Sequence, residues 1–261
     1  MDKLTLESKL EKWLSLPNGA EGKIVTEMKA YFKKSKKTFA VVGLSGGVDS
    51  ALTCYLAAKA LGPLNVYAYH LPYVQKPADE KDSQQLAKML KVNFQKIDIR
   101  RIVDTYHETL KPRTRIIAGN LRVRTRMLIL YSFANQFDGL VLGTGNRTEL
   151  SLGYFTKYGD GGCDLLPIGN LYKTQVWEMA RRSGLPKHIV EKVPTAGMWD
   201  NQTDEAEIGV RYSEIDKILS SHLDLKISWQ DLLKLFDKNK VARIKELTEQ
   251  SEHKRKMPPI L

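Results

Sequence analysis

The chain has 261 residues, 42% of them hydrophobic and 27% charged, and no apolar run approaches the roughly 20 residues of a membrane-spanning helix. Lysine and arginine total 41 against 30 acidic residues, a net charge of +11 that points to anionic partners without choosing among nucleic acid, membrane surface and phosphorylated small molecules. The two cysteines, Cys54 and Cys163, stand far apart in neither a Cys-x-x-Cys nor a metal-ligand pattern, which excludes a disulfide framework and a zinc site.

Residues 1–16 mix Asp2, Glu7 and Glu11 with lysines at helical spacing, unlike the apolar centre of a secretion signal, so a cytoplasmic protein is expected. A helical pattern over 24–32 leads into a lysine-rich run at 33–37, whose cations suit a helix C-terminus. A strand is expected at 39–43, then a serine- and glycine-rich turn, then a helix to 61 stopped by Gly62-Pro63. Further strands are expected at 66–71, 92–97 and 139–143, separated by helices at 78–90, 101–110 and 121–137. Short β-runs alternating with longer helices predict an α/β fold, a parallel sheet with helices on both faces whose ligands bind beyond the strand C-termini. After Gly184, amphipathic segments at 204–219 and 229–246 predict a helical C-terminal part. No Pro/Gly/Ser-rich linker interrupts the chain, so a single domain over 1–261 is expected.

The turn after the first strand reads Gly43-Leu44-Ser45-Gly46-Gly47-Val48-Asp49-Ser50. Gly46 and Gly47 let backbone N–H groups approach an anion, Ser45 and Ser50 add hydroxyl donors, and the helix N-terminus contributes partial positive charge. Asp49 would repel a phosphate unless a cation stood between them, which points to magnesium bridging it to a polyphosphate. No lysine follows Gly47, as a Gly-x-x-x-x-Gly-Lys-Ser/Thr loop requires, and the spacing of a dinucleotide fingerprint is missing. A serine-capped turn needs a glycine, but not this combination.

The turn resembles the Ser-Gly-Gly-x-Asp-Ser loop of ATP pyrophosphatases. Downstream, Gly143-Thr144-Gly145-Asn146-Arg147-Thr148-Glu149, the stretch 153–162, Cys163-Asp164-Leu165-Leu166-Pro167, Pro194-Thr195-Ala196 and His253-Lys254-Arg255 extend the likeness. Over nearly its whole length the chain closely resembles the NAD synthetase family. The resemblance implies a three-layer fold of the adenine nucleotide alpha hydrolase type and an ATP-dependent amidation of deamido-NAD. ATP would adenylylate the nicotinate carboxylate, pyrophosphate would leave, and ammonia would displace AMP. It also implies that residues 43–50, Thr144, Lys173 and Thr195 contact ATP, that Asp49 and Glu149 hold Mg²⁺, and that Arg124, Lys157, Asp164, His253 and Lys254 hold deamido-NAD. A homodimer is implied as well.

The residue types suit that chemistry. A carboxylate is a poor acyl donor, whereas an acyl-adenylate loses AMP readily, and the anionic groups that must meet need a metal ion and fixed cations. Arg124 can fork two hydrogen bonds onto an anion, Lys157 offers a compact charge, and Asp164 can accept from ribose hydroxyls or take a proton from ammonia. Arg122 and Arg126 are read as pyrophosphate or surface contacts. Lys173 opens a helix, an awkward place for a cation unless an anion neutralises it, and is assigned to the ATP phosphates. Glu149 also reads as a helix-start acid, and the glycines and tyrosines of 154–162 fit a lid or tight turns equally. The histidines, His70, His107, His188, His222 and His253, form no metal or triad spacing, and no general base is assigned among them.

The later motifs disfavour the synthetase half of GMP synthetase, and isolated cysteines disfavour a tRNA sulfur-insertion enzyme. Intact Asp49, Glu149 and Lys173 disfavour a silent nucleotide sensor or a nucleic-acid binder. Because the synthetase motifs occupy the whole 261 residues, free ammonia is the expected nitrogen donor, with a separate amidotransferase subunit left open.

Overall fold

Two helices, α1 (Lys3–Leu14) and α2 (Ala20–Lys34), lead into β1 (Ala40–Gly43) and α3 (Val48–Leu61) in the computed structural model, which describes residues 3–195, 197–199 and 202–260. Three more βα steps follow: β2 (Val66–His70) with α4 (Pro77–Leu90), β3 (Asn93–Lys96) with α5 (Arg100–Leu110) and α6 (Arg115–Gln136), and β4 (Leu140–Leu142) with α7 (Arg147–Leu152). The rest is helical: α8 (Lys173–Arg182), α9 (Lys187–Val190), α10 (Asp204–Ile208), α11 (Tyr212–Leu223), α12 (Trp229–Leu235) and α13 (Lys238–Gln250). No helix among the described residues is long and apolar enough to cross a membrane.

The four strands form one parallel sheet in the order β3-β2-β1-β4, with Ala40 opposite both Val66 and Leu140. Successive side chains point to opposite faces. Ala40, Val42 and Ala68 therefore join a core with α2, α3, α4 and α8, while Val41, Tyr69 and Val141 join another with Val103 of α5 and Ala134 of α6. On that second face Tyr67 stacks on Phe137 at 4.2 Å and Tyr69 on Phe133 at 4.3 Å. β1 and β4 run without polar alternation because helices cover both faces, whereas the edge strand β3, Asn93-Phe94-Gln95-Lys96, is polar and partly exposed. A third cluster, centred on Tyr212, Ile215 and Leu219 of α11, binds α7, α12 and α13 beside the sheet.

Several boundaries differ from the sequence expectation for identifiable reasons. The long helix expected from 121 begins at Arg115, because Thr114 caps it by accepting the Ile117 N–H at 3.2 Å. The segment expected as one helix over 204–219 breaks at Gly209, which adopts a left-handed φ of 86°. The segment 229–246 breaks at Asp237, whose side chain accepts from Asn239 N and Lys240 N and restarts the helix as α13.

Candidate active site

The turn beyond β1 is pinned on both sides. Leu44 N donates to Tyr69 O at 2.8 Å, continuing the β1–β2 ladder, and the Leu44 carbonyl accepts from Ser83 Oγ at 3.1 Å. Ser50 Oγ accepts from Ser45 N at 3.1 Å and donates to Gly47 O at 2.9 Å, which ties the turn across its base. Gly46 has φ +82°, and a Cβ there would come within 2.8 Å of the Asp79 carbonyl oxygen, so only glycine fits. No side chain caps α3, whose first-turn N–H groups thus face the strand ends as an anion site.

Asp49 lies in that first turn. Its Oδ1 accepts from Asn146 Nδ2 at 2.9 Å and its Oδ2 pairs with the Lys173 ammonium. Glu149 arrives from α7 through a capping box: Asn146 Oδ1 accepts the Glu149 N–H at 3.0 Å, and Glu149 Oε2 accepts the Asn146 N–H at 3.3 Å. The remaining oxygen, Oε1, stands 3.6 Å from Lys173 Nζ. Glu149 is therefore both the helix-start acid and part of the charged centre. Lys173, only 1% exposed, opens α8 with its ammonium between the two carboxylates and 5.3 Å from the Tyr212 ring centroid.

The electrostatics follow from this burial. Burial pushes the Glu149 carboxyl up to about 8, the neighbouring Asp49 charge adds to the rise, and Lys173 opposes it. Burial disfavours the Lys173 ammonium, but Asp49 and Glu149 outweigh that penalty and hold its pKa above the ordinary lysine value. A niche that sets a buried ammonium between two acidic side chains, one of them with its proton held up by burial until more positive charge arrives, is built for positive charge. It suits a hard divalent ion that takes one or two protein carboxylates and completes its shell with water and phosphate oxygens. Among the described residues no group of three or more acidic, histidine or cysteine side chains gathers as a self-sufficient metal site.

These residues line a cavity of about 330 Å³ that also takes in Thr144, Thr195 and the end of β2 at His70 and Leu71. Thr195 Oγ1 accepts the Gly197 N–H at 3.0 Å, while Ala196 between them lies outside the described residues. The turn 43–50, Thr144, Glu149, Lys173 and Thr195 are thus brought to one place. Arg124, Lys157, His253 and Lys254 form a second group, none of which lines the cavity. Arg124 donates to the Lys157 carbonyl at 3.3 Å, Lys157 Nζ donates to the His253 carbonyl at 2.7 Å, and Lys254 Nζ donates to Gly153 O and Phe155 O at 2.7 and 2.8 Å. Asp164 belongs to neither group. It accepts from Val141 N at 2.7 Å and Tyr131 O–H at 3.0 Å, closing the free edge of β4.

Sequence reasoning passed over several cavity residues. Lys192 donates to Gly46 O at 3.3 Å while paired with Asp79 at 2.7 Å and Asp82 at 2.6 Å. Its proximity to Pro194-Thr195 was the available signal. Asp160 and Asp204 also line the cavity, where sequence gave no reason to prefer either over neighbouring acids. Arg126 forms part of the wall, donating Nε–H to Leu71 O at 2.9 Å. Burial lowers its pKa to about 10, which still leaves it charged at neutral pH. Arg122 instead donates to Met198 O at 2.6 Å and covers Tyr73.

A parallel sheet that ends in a Ser-Gly-Gly-Val-Asp-Ser turn, with acids and a buried lysine gathered there, defines an α/β enzyme of the ATP pyrophosphatase type. The NAD synthase family model matches residues 22–258. An NH(3)-dependent NAD(+) synthetase from Pyrococcus horikoshii is 44% identical over 239 residues, covering 90% of this chain and 93% of its own. Two solved structures agree with the fold: NMN synthetase from Francisella tularensis (36% identity, TM-score 0.84, 94% and 98% of the two chains) and NH3-dependent NAD synthetase from Campylobacter jejuni (30%, 0.79, 100% and 99%). The chain belongs to the NAD synthase family.

Proposed function

We propose that the protein converts deamido-NAD to NAD, using ATP and free ammonia and releasing AMP and pyrophosphate. The observation that carries this reading is the Lys173 ammonium held between Asp49 and Glu149 at the mouth of an uncapped helix N-terminus. That arrangement receives a polyphosphate together with the cation that neutralises it.

In this reading the ATP phosphates dock on the main-chain N–H groups of the turn and on Ser45 and Ser50, with Thr144 and Thr195 as uncharged donors. Magnesium, held by Asp49 and Glu149, would offset the charge of the polyphosphate. Lys173, paired with Asp49, and Lys192, donating to the Gly46 carbonyl, would be the lysines at the phosphates. A nicotinate carboxylate oxygen attacks the α-phosphorus and the bond to the β-phosphate oxygen breaks, so pyrophosphate departs along the turn. Ammonia then attacks the adenylylated carbonyl carbon, and AMP leaves with the carboxylate oxygen it received. The amine's surplus proton needs an acceptor, and Asp160, which lines the cavity where Asp164 does not, is assigned to it.

Arg124, Lys157, His253 and Lys254 are assigned to the dinucleotide on the outer side of the 153–162 segment. Exposed apolar side chains on α5 and α6, Leu110, Ile116, Ile117 and Leu128, support a homodimer. Sedimentation at micromolar concentration checks it, a monomer being the contrary result. A cytoplasmic location fits ATP and ammonia as substrates.

Incubation with ATP, magnesium, deamido-NAD and ammonium should yield NAD and AMP in equal amounts. Turnover with glutamine but not ammonium would overturn the donor assignment. Because one similar structure is an NMN synthetase, the same assay with the deamidated mononucleotide tests the acceptor, and a clear preference for it would replace deamido-NAD.

A further inference from the structure

Glu149 and Lys173 come from different helices, so their separation depends on how α7 and α8 are held. Behind them, away from the cavity, lies a closed set of buried polar groups. Asp216 of α11 is fully buried and accepts three hydrogen bonds: Thr148 Oγ1–H at 2.5 Å on one oxygen, and Thr174 N–H and Oγ1–H at 2.9 and 2.8 Å on the other. Thr148, also fully buried, uses its hydroxyl proton on Asp216 and accepts the Lys173 backbone N–H at 2.9 Å. Thr148 directly precedes Glu149, and Thr174 directly follows Lys173. One carboxylate thus grips both helices at the residues adjoining the two charged side chains.

We propose that Asp216 and Thr148 are positioning residues that fix Glu149 and Lys173 at the separation the nucleotide site requires. The inference rests on the functional reading above. Asp216 caps α8 from another element, since the Lys173 and Thr174 N–H groups belong to the first turn, which has no intrahelical acceptors. Its charge also complements the positive end of that helix. Packing alone does not account for it. A buried carboxylate whose three hydrogen-bond donors are all neutral is costly, and an apolar side chain of similar size would hold α11 against α7 and α8 without that cost. What an apolar residue cannot do is fix the rotation of α8, which determines where Lys173 points. Groups that orient ligating side chains from behind typically matter by about 10- to 100-fold.

Thr148→Val keeps the side-chain shape and removes the hydroxyl; Asp216→Asn keeps the size and turns one acceptor into a donor facing donors. In folded protein, both should lower kcat for NAD formation by about 10- to 100-fold. The KM for deamido-NAD should stay within about twofold, because its assigned contacts lie elsewhere. Thr148→Ser, which retains the hydroxyl, should recover most of the rate. Calorimetry with ATP and magnesium gives a readout without turnover, and affinity should fall about tenfold in Thr148→Val. Variants that melt earlier yet keep the wild-type kcat and nucleotide affinity would overturn the proposal and leave Asp216 a structural residue. If the wild type makes no NAD, the functional reading fails separately, and calorimetry still decides the positioning role.

Discussion

The centre at the strand ends and the cluster around Lys157 are both rich in cations, yet their charges are balanced on different terms. Lys173 is sealed between Asp49 and Glu149, so charge is matched before any ligand arrives. Arg124, Lys157 and Lys254 point their cations at main-chain carbonyls, which carry only partial negative charge. An anion entering the first region must bring a compensating cation or displace a carboxylate, whereas an anion entering the second meets positive charge still to be matched. On the function proposed above, this difference would match a nucleotide with its metal to the interior and a dinucleotide without one to the rim.

The largest effect should come from removing the interior cation. Lys173→Met leaves Asp49 and Glu149 facing each other in a buried site, and kcat should drop by about 100- to 1,000-fold, as for loss of a fixed transition-state donor. AMP release at saturating substrates measures it, and a rate near wild type would put Lys173 outside the chemistry. Next comes a pH effect peculiar to the interior. Burial raises the Asp216 carboxyl to about 6 from 3.8, its hydrogen-bond donors only partly offsetting the rise. As pH climbs, the unfolded chain loses this proton near 4 and the folded chain near 6. The folded state therefore holds the extra proton between those values, and stability falls across that window by up to about 3 kcal/mol. Above it, this group adds no further slope. Urea denaturation of wild type and Asp216→Asn at pH 4 to 7 should show a steeper decline in the wild type, because the raised Glu149 carboxyl contributes a slope to both proteins and only the difference between them belongs to Asp216.

Disturbing the rim should give smaller and different changes. Arg124→Ala should raise the KM for deamido-NAD about tenfold, the worth of one charged hydrogen bond, and leave the KM for ATP unchanged. Equal changes in both constants would erase the distinction between the two regions. Least of all, raising salt from about 0.05 to about 0.5 M should weaken deamido-NAD binding more than ATP binding, since exposed charges are screened and buried ones much less so.

How much of this was legible in the sequence depended on the distance over which each feature is specified. The phosphate turn was readable because ten consecutive residues define it: an apolar strand, two glycines, two serines and an acid. The parallel sheet was readable for the same reason, its strands and helices alternating along the chain. Helix breaks were harder, because Gly209 and Asp237 act through a single backbone angle or a single cap inside otherwise amphipathic stretches. The acids were hardest. Asp160 and Asp164 lie in one short segment, and the bridge that pairs Leu165 with Leu142 turns Asp164 toward β4 and Tyr131 and away from the cavity. Lys192, Asp204 and Asp216 reach their places through the packing of the C-terminal helices, for which no local spacing gives a signal.

The central claim is that a carboxylate oxygen of the acceptor becomes bonded to the α-phosphorus of ATP at the Asp49, Glu149 and Lys173 centre. Deamido-NAD labelled with ¹⁸O in its nicotinate carboxylate, turned over with ATP, magnesium and ammonium, tests it by mass spectrometry of the released nucleotide. One labelled oxygen should appear in AMP and none in pyrophosphate. Unlabelled AMP, or label in inorganic phosphate released alongside ADP, would contradict it.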